Sequence, residues 1–353
     1  MGSAGPSEKE VPSARSGKRL AGFVRLAPLA ASLMLFSLAG GARAADNAQK
    51  FTEGTEVTVR AENYLARNHR ASNGDITARK GLTQFENGSG EAIGIGVGIG
   101  AVKRDIGVKD AAAGLSGSGG YDSGKVSLFV GAFSGDFNAA LAVEETAVLG
   151  VSYEGVSEGS SSSGRSSRFG FARTSARLRA GEGFLLEGSY DRHDSRLDLH
   201  MNGLDLLSDA CSLDIDGGYA DLGFRGGSVT QRMRRLSGSG LVTYRKITDT
   251  DVSVGLGGYY SGVKSESSVR SSSGWTPERV DRDLGGPIMG LSYRNIRLRG
   301  GYLFGSERAG GTEMSRPGKR AGFAELVIVD VLRAGAVIGK RMEEADLSLA
   351  LKF

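Results

Sequence analysis

Cysteine is all but absent. Cys211 is the single thiol in 353 residues, so neither an internal disulfide nor a cysteine-rich metal site can form. The thiol itself reads as a small buried or wall-facing residue. Proline is scarce too, and after residue 44 only Pro277, Pro287 and Pro317 occur. Collagen and disordered proline-glycine tracts both need proline, and neither fits. Of the three histidines, His193 and His200 lie seven positions apart, on opposite faces of any strand. They therefore do not share a metal. Aromatic residues are few, and Trp275 is the one tryptophan. No apolar run after residue 44 reaches the length of a membrane helix, and helical periodicity is sparse.

An excess of one charge is also missing, once the first 44 residues are set apart. Lys18, Arg19 and Arg25 precede the apolar run "LAPLAASLMLFSLA" (Leu26 to Ala39), and Ala42-Arg43-Ala44 follows as a small-x-small site. These parts read as a secretory signal over residues 1–44, cleaved after Ala44. The 14-residue run is too short for a spanning anchor. The segment holds six basic residues (Lys9, Arg15, Lys18, Arg19, Arg25, Arg43) and two acidic ones (Glu8, Glu10). Removing them from 44 basic and 40 acidic leaves 38 of each. The net charge of a formally neutral chain over 45–353 gives no ground for a nucleic-acid or anionic-lipid partner.

Glycine is abundant, with 56 residues, more than twice the usual share of about 7%. The dominant pattern has period two. "AIGIGVGIGAV" puts Ile93, Ile95, Val97, Ile99 and Ala101 on one face and four glycines on the other. "DVSVGLGGYY" aligns Val252, Val254, Leu256 and Tyr260. "NIRLRGGYLF" sets Ile296, Leu298, Tyr302 and Phe304 opposite Arg297 and Arg299. Such repeats predict strands with one apolar face. The glycine face lacks the Lys-Ser/Thr of a phosphate loop and points to tight sheet curvature. "DTD" and "DID" lack the ligand spacing of a calcium loop and read as turns, so no metal or other cofactor is expected.

Short links at Glu144-Glu145, Gly181-Glu182, Arg294-Asn295 and "TDTD" (Thr248 to Asp251) alternate with long polar stretches beginning at Ser157, Gly226, Gly262 and Gly305. Alternating short turns and long loops is the layout of an outer-membrane barrel. The expected fold is all-β: one transmembrane antiparallel β-barrel over 45–353 with about 16 strands, within a range of 12 to 18.

The chain ends in "ADLSLALKF", with Leu347, Leu349, Leu351 and Phe353 on one strand face. This alternation, closing on an aromatic residue, resembles the C-terminal signal of bacterial outer-membrane β-barrel proteins. The resemblance implies a location in the bacterial cell outer membrane and recognition of the terminal aromatic by the barrel-assembly machinery. A second stretch, "NHRASNGD", resembles the active-site motif of outer-membrane phospholipase A. That resemblance implies His69 as base and Ser72 as nucleophile. The family spaces the two residues two apart, whereas here they are three apart and point oppositely on a regular strand. Asn73-Gly74 is by itself a turn signal, and no enzyme is expected.

The remaining candidates are inward-facing charges. Phase places Arg173, Arg177, Arg179, Glu187, Asp191, Asp221, Arg297 and Arg299 on a pore wall, where they would set its field. Neighbouring members would pair across strands. The expected function is a channel for passive diffusion of small hydrophilic solutes, since 16 strands leave an interior too wide for side chains to fill. The alternatives are a non-channel barrel, either an adhesin or a scaffold sheathing a partner protein, and a lipid hydrolase using His69 and Ser72. Expected partners are outer-membrane lipid, the barrel-assembly machinery, small solutes, and either a further copy of the chain or a partner protein.

Overall fold

The computed structural model describes residues 54–352 apart from 68, 87–90, 111–114, 135–136, 158–159, 181–182, 191–193, 209, 227–228, 245–250, 272–273, 311–315, 329–330 and 341. The expected export signal (1–44), Phe353, Asp191 and the "TDTD" link up to Thr250 lie outside the described residues.

Sixteen strands follow one another. They are β1 (Thr55–Ala66), β2 (His69–Glu86), β3 (Ala92–Asp110), β4 (Leu115–Ser134), β5 (Phe137–Ser157) and β6 (Ser160–Ala180). Next come β7 (Phe184–Tyr190), β8 (Asp194–Ser208), β9 (Cys211–Gly226), β10 (Val229–Tyr244) and β11 (Val252–Ser271). The last five are β12 (Gly274–Tyr293), β13 (Ile296–Ala309), β14 (Arg316–Ile328), β15 (Leu332–Ile338) and β16 (Met342–Lys352). Each pairs antiparallel with its chain neighbours, and β16 returns to β1, so the sheet closes into a barrel. The seam matches Val57 with Leu351, Val59 with Leu349 and Ala61 with Leu347. Closure leaves no unpaired edge, which is why the last strand carries structural residues rather than a frayed tail.

An even number of strands puts the start of β1 and the end of β16 at one end, here called the terminal end. The other end is the distal end. The links at both ends are short, which corrects the expected asymmetry. The stretches read as long loops are strand: β5 runs to Ser157, β10 begins at Val229, and β11 and β12 extend to Ser271 and from Gly274. Their polarity reflects one solvated face, and backbone pairing does not depend on it. Glu144-Glu145 and Asn73-Gly74, read as turns, likewise lie inside β5 and β2. Arg294-Asn295 is a turn as expected, and Arg294 adopts φ 51° there.

Strand lengths are unequal. β5 and β6 have 21 residues, β11 and β12 have 20, and β7 and β15 have 7. Twenty residues extend about 65 Å along the strand, whereas about 9–11 tilted residues suffice to cross a bilayer. The outer surface divides accordingly. Toward the terminal end it exposes Ile76, Phe85, Ile93, Ile99, Val242, Leu256, Met289, Leu298 and Phe304. Toward the distal end the outward positions of the same strands are Arg232, Lys264, Glu266, Arg270 and Arg279, all exposed.

Candidate functional site: the barrel interior

The interior has to be built from the inward positions. On β3 the glycines face inward and the side chains of β4 fold over them. A Cβ at Gly96 would collide with Phe129, one at Gly98 with Ser127, and one at Gly100 would lie 2.7 Å from Lys125 Cε. The glycine face therefore makes room for neighbouring side chains to enter the lumen.

Near the distal end the interior is an apolar core. Tyr64, Val102, Ile106, Leu222, Phe224, Val229, Met233, Val263 and Val280 form one buried cluster from β1, β3 and β9 to β12. Opposite walls meet there. A Cβ at Gly117 on β4 would stand 2.9 Å from Val269 Cγ2 on β11 and 3.1 Å from Val229 Cγ2 on β10. Midway down, Leu241, Tyr259, Leu284, Ile288, Leu303 and Phe323 form a second cluster on the β10–β15 wall. Tyr259 and Phe323 stack there with centroids 4.3 Å apart.

Ion pairs join walls that are distant in the sheet order. Arg282 on β12 is fully buried; it contacts Glu344, lies 3.1 Å from Glu343, both on β16, and donates to the Leu65 carbonyl at 2.6 Å. Arg235 reaches Glu344 at 2.7 Å and covers the Tyr64 ring at 5.2 Å, while Ser261 donates to Glu344 at 2.6 Å. Arg104 on β3 pairs with Asp194 on β8. Toward the terminal end, Arg60 on β1 lies 3.1 Å from Asp198 on β8, and Arg177 on β6 lies 3.3 Å from Glu56 on β1. Arg333 on β15 contacts the His200 Nδ1 of β8 at 2.6 Å and Glu325 at 2.7 Å. The expectation of an interior too wide to fill does not hold. Glycine-rich walls let the barrel draw together until side chains span it.

The predicted wall residues divide into three groups. Arg177, Arg179, Glu187, Arg297 and Arg299 do point inward and line a cavity of about 310 Å³ at the terminal end, with Arg60, Asp198 and Arg333. Arg177 pairs with Glu187 on the next strand at 2.9 Å, the expected cross-strand pairing. Arg299 is buried and held by Asp216 and, at 3.2 Å, by Glu325. Arg297 has no ion-pair partner among the described residues. Arg173 lies in β6 opposite Glu144 by register, but its side chain, like Asp191, falls outside the described residues.

Asp221 is a correction. Ala220, Leu222 and Phe224 are the inward residues of β9 at that height, so Asp221 faces outward. There it takes Arg232 at 2.5 Å and Arg234 at 3.6 Å. The phase was right, but the rule that apolar residues face outward reverses in the distal part.

His69 and Ser72 are not brought together. His69 is fully buried inside, with Nδ1 2.7 Å from Ser265 Oγ and Nε2 3.2 Å from Glu278. Ser72 occupies the opposite face of β2, and its hydroxyl donates to the Asp105 carbonyl at 3.5 Å. No signal in the sequence connects His69 with partners about 200 positions away. Cys211 opens β9 as a free, half-buried thiol. Leu347 is exposed on the outer face, and Leu349 and Leu351 continue that register beside Val59 and Val57.

No protein-family model and no curated protein matches the chain. Among solved structures, the beta domain of the Bordetella autotransporter BrkA is 10% identical, over 85% of this chain and 99% of that one, with a TM-score of 0.29. The transport unit of the Escherichia coli autotransporter AIDA-I gives 8%, 88%, 96% and 0.28. Pseudomonas aeruginosa OccK8 (OprE) gives 10%, 86%, 99% and 0.26. The barrel itself is defined by the closed ladder from β1 through β16.

Proposed function

We propose that the protein is an outer-membrane β-barrel with a lumen that is shut at rest, a non-channel barrel of the scaffold type. The exposed apolar band toward the terminal end supports its placement in lipid. In this reading Leu347, Leu349, Leu351 and Phe353 serve barrel assembly, and His69 and Ser72 have no catalytic role. The observation that carries the closed lumen is the set of charges joining separate walls, Arg60 to Asp198, Arg177 to Glu56 and Arg282 to Glu344. Of these only Arg282–Glu344 is buried, and losing one partner of a buried pair costs about 3–5 kcal/mol. The other two bridges are partly solvated and hold less tightly. Purified protein in a planar bilayer should show no steady current. A sustained ohmic conductance from the unaltered protein would overturn the proposal.

A second reading, a channel for small hydrophilic solutes, is favoured by the cavity of about 310 Å³. It requires the bridges to separate. Sustained conductance with anion preference that falls in an Arg297→Glu variant would select it.

A further inference from the structure

The outer face of β10 to β14 carries a group of cations immediately beyond the apolar band. Arg234 on β10 stands directly opposite Lys264 on β11, on the same outward face. Lys264 is in turn opposite Asp281 on β12, and Asp281 opposite Arg308 on β13. Arg320 on β14 faces outward opposite Phe304. Neighbouring strands are about 4.8 Å apart, so Arg234, Lys264 and Arg308 fall within about 15 Å of one another.

The interspersed acids are each shared or engaged. Asp221 is divided between Arg232 at 2.5 Å and Arg234 at 3.6 Å, Asp281 is held by Arg279 at 3.2 Å, and Asp283 accepts from the Tyr260 hydroxyl at 2.7 Å. Lys264, Arg308 and Arg320 are exposed and have no ion-pair partner among the described residues. Like charges directly opposite destabilise a strand pair. Arg234 and Lys264 each have an acid on the other side, Asp221 and Asp281. Arg232 and Arg279 draw on the same two carboxylates, so the patch keeps an excess of positive charge. Just below, the same strands expose Leu236, Tyr260, Tyr302 and Phe304. Cations directly above an apolar strip match an amphiphile with an anionic head and hydrocarbon tails.

We propose that Arg234, Lys264 and Arg308 bind the phosphate-bearing headgroup of a membrane lipid whose acyl chains lie on Leu236, Tyr260 and Phe304. Phosphate oxygens would accept from both guanidinium groups and the ammonium, relieving the repulsion between Arg234 and Lys264. The site rests on the placement of the apolar band in lipid. A soluble anion would need only the cations, whereas this arrangement also presents the strip beneath them.

The test uses the full protein purified in detergent, with bisphosphorylated lipid A as probe and its dephosphorylated form as comparison. Binding is read by native mass spectrometry. Removing the phosphates, or the triple change Arg234→Gln, Lys264→Gln and Arg308→Gln, should each weaken binding roughly tenfold or more. The triple change Arg70→Gln, Lys80→Gln and Lys103→Gln removes the same charge from β2 and β3, and should alter binding by less than about twofold. Equal binding of the dephosphorylated lipid, an equal loss in the β2–β3 variant, or displacement by inorganic phosphate would each overturn the site. The dephosphorylated comparison uses the unaltered protein and so stands even if the variant misfolds. Failure of the unaltered protein to float with liposomes would instead count against the membrane placement itself.

Discussion

On β10, Tyr244, Val242 and Leu236 face outward near the terminal end, and Arg234 and Arg232 face outward nearer the distal end. The alternation does not break between them. Inward positions change too, and β9 goes from Asp214 and Asp216 inside to Leu222 and Phe224 inside. One continuous wall thus behaves like a membrane protein at one height and like a water-soluble β-protein at another. The lesson is that strand phase and solvent are separate variables. Pleating sets which residues share a face, and the medium outside decides which face should be apolar.

The largest effect expected from this contrast is in the distal core. Val229→Asp puts a carboxylate at a fully buried site whose register partners are Gly226 and Val269 and should cost about 4 kcal/mol or more, or prevent assembly. Urea titration of the heat-modifiable form measures this, and a stable variant would mean that water reaches the distal interior. Next is Arg282→Ala, which removes the buried cation between Glu343 and Glu344 and leaves them to Lys319 and Arg235. It should destabilise by about 3–5 kcal/mol and introduce a leak current.

The sharpest comparison uses one strand. Leu256→Arg on the apolar band should cost about 2–4 kcal/mol, whereas Ser268→Arg further along β11 should stay within about 0.5 kcal/mol. Equal costs at the two heights would erase the division between lipid and water. The smallest effect belongs to Arg297→Gln. With no ion-pair partner among the described residues, it should change stability by under about 0.5 kcal/mol.

Much of the architecture was legible where apolar residues alternate without interruption. Ile296, Leu298, Tyr302 and Phe304 fix the phase of β13, and Arg297 and Arg299 do point inward. Leu347, Leu349 and Leu351 mark the closing strand for the same reason. The distal wall was not legible, because "SVRSSSGWTPERV" is polar enough to pass for a loop when its pairing partner is unseen. Asp221 was assigned inward because the reversal depends on where the membrane ends, which no local pattern records. The contacts of His69 with Ser265 and Glu278, and of Arg282 with Glu344, require the closed barrel. They join segments about 60 to 200 positions apart.

The seam between β1 and β16 also has a temporal consequence. Val57 cannot meet Leu351 until all the strands between them have been made, so closure has to wait for β16. Bringing such distant segments together carries the chain's largest loop-closure entropy, and pairings of this kind form slowly. Until then both edge strands expose unpaired amides and carbonyls and can capture another chain. The interval before closure is therefore the vulnerable period for this protein, and its length depends on how quickly the last eleven residues of strand find β1.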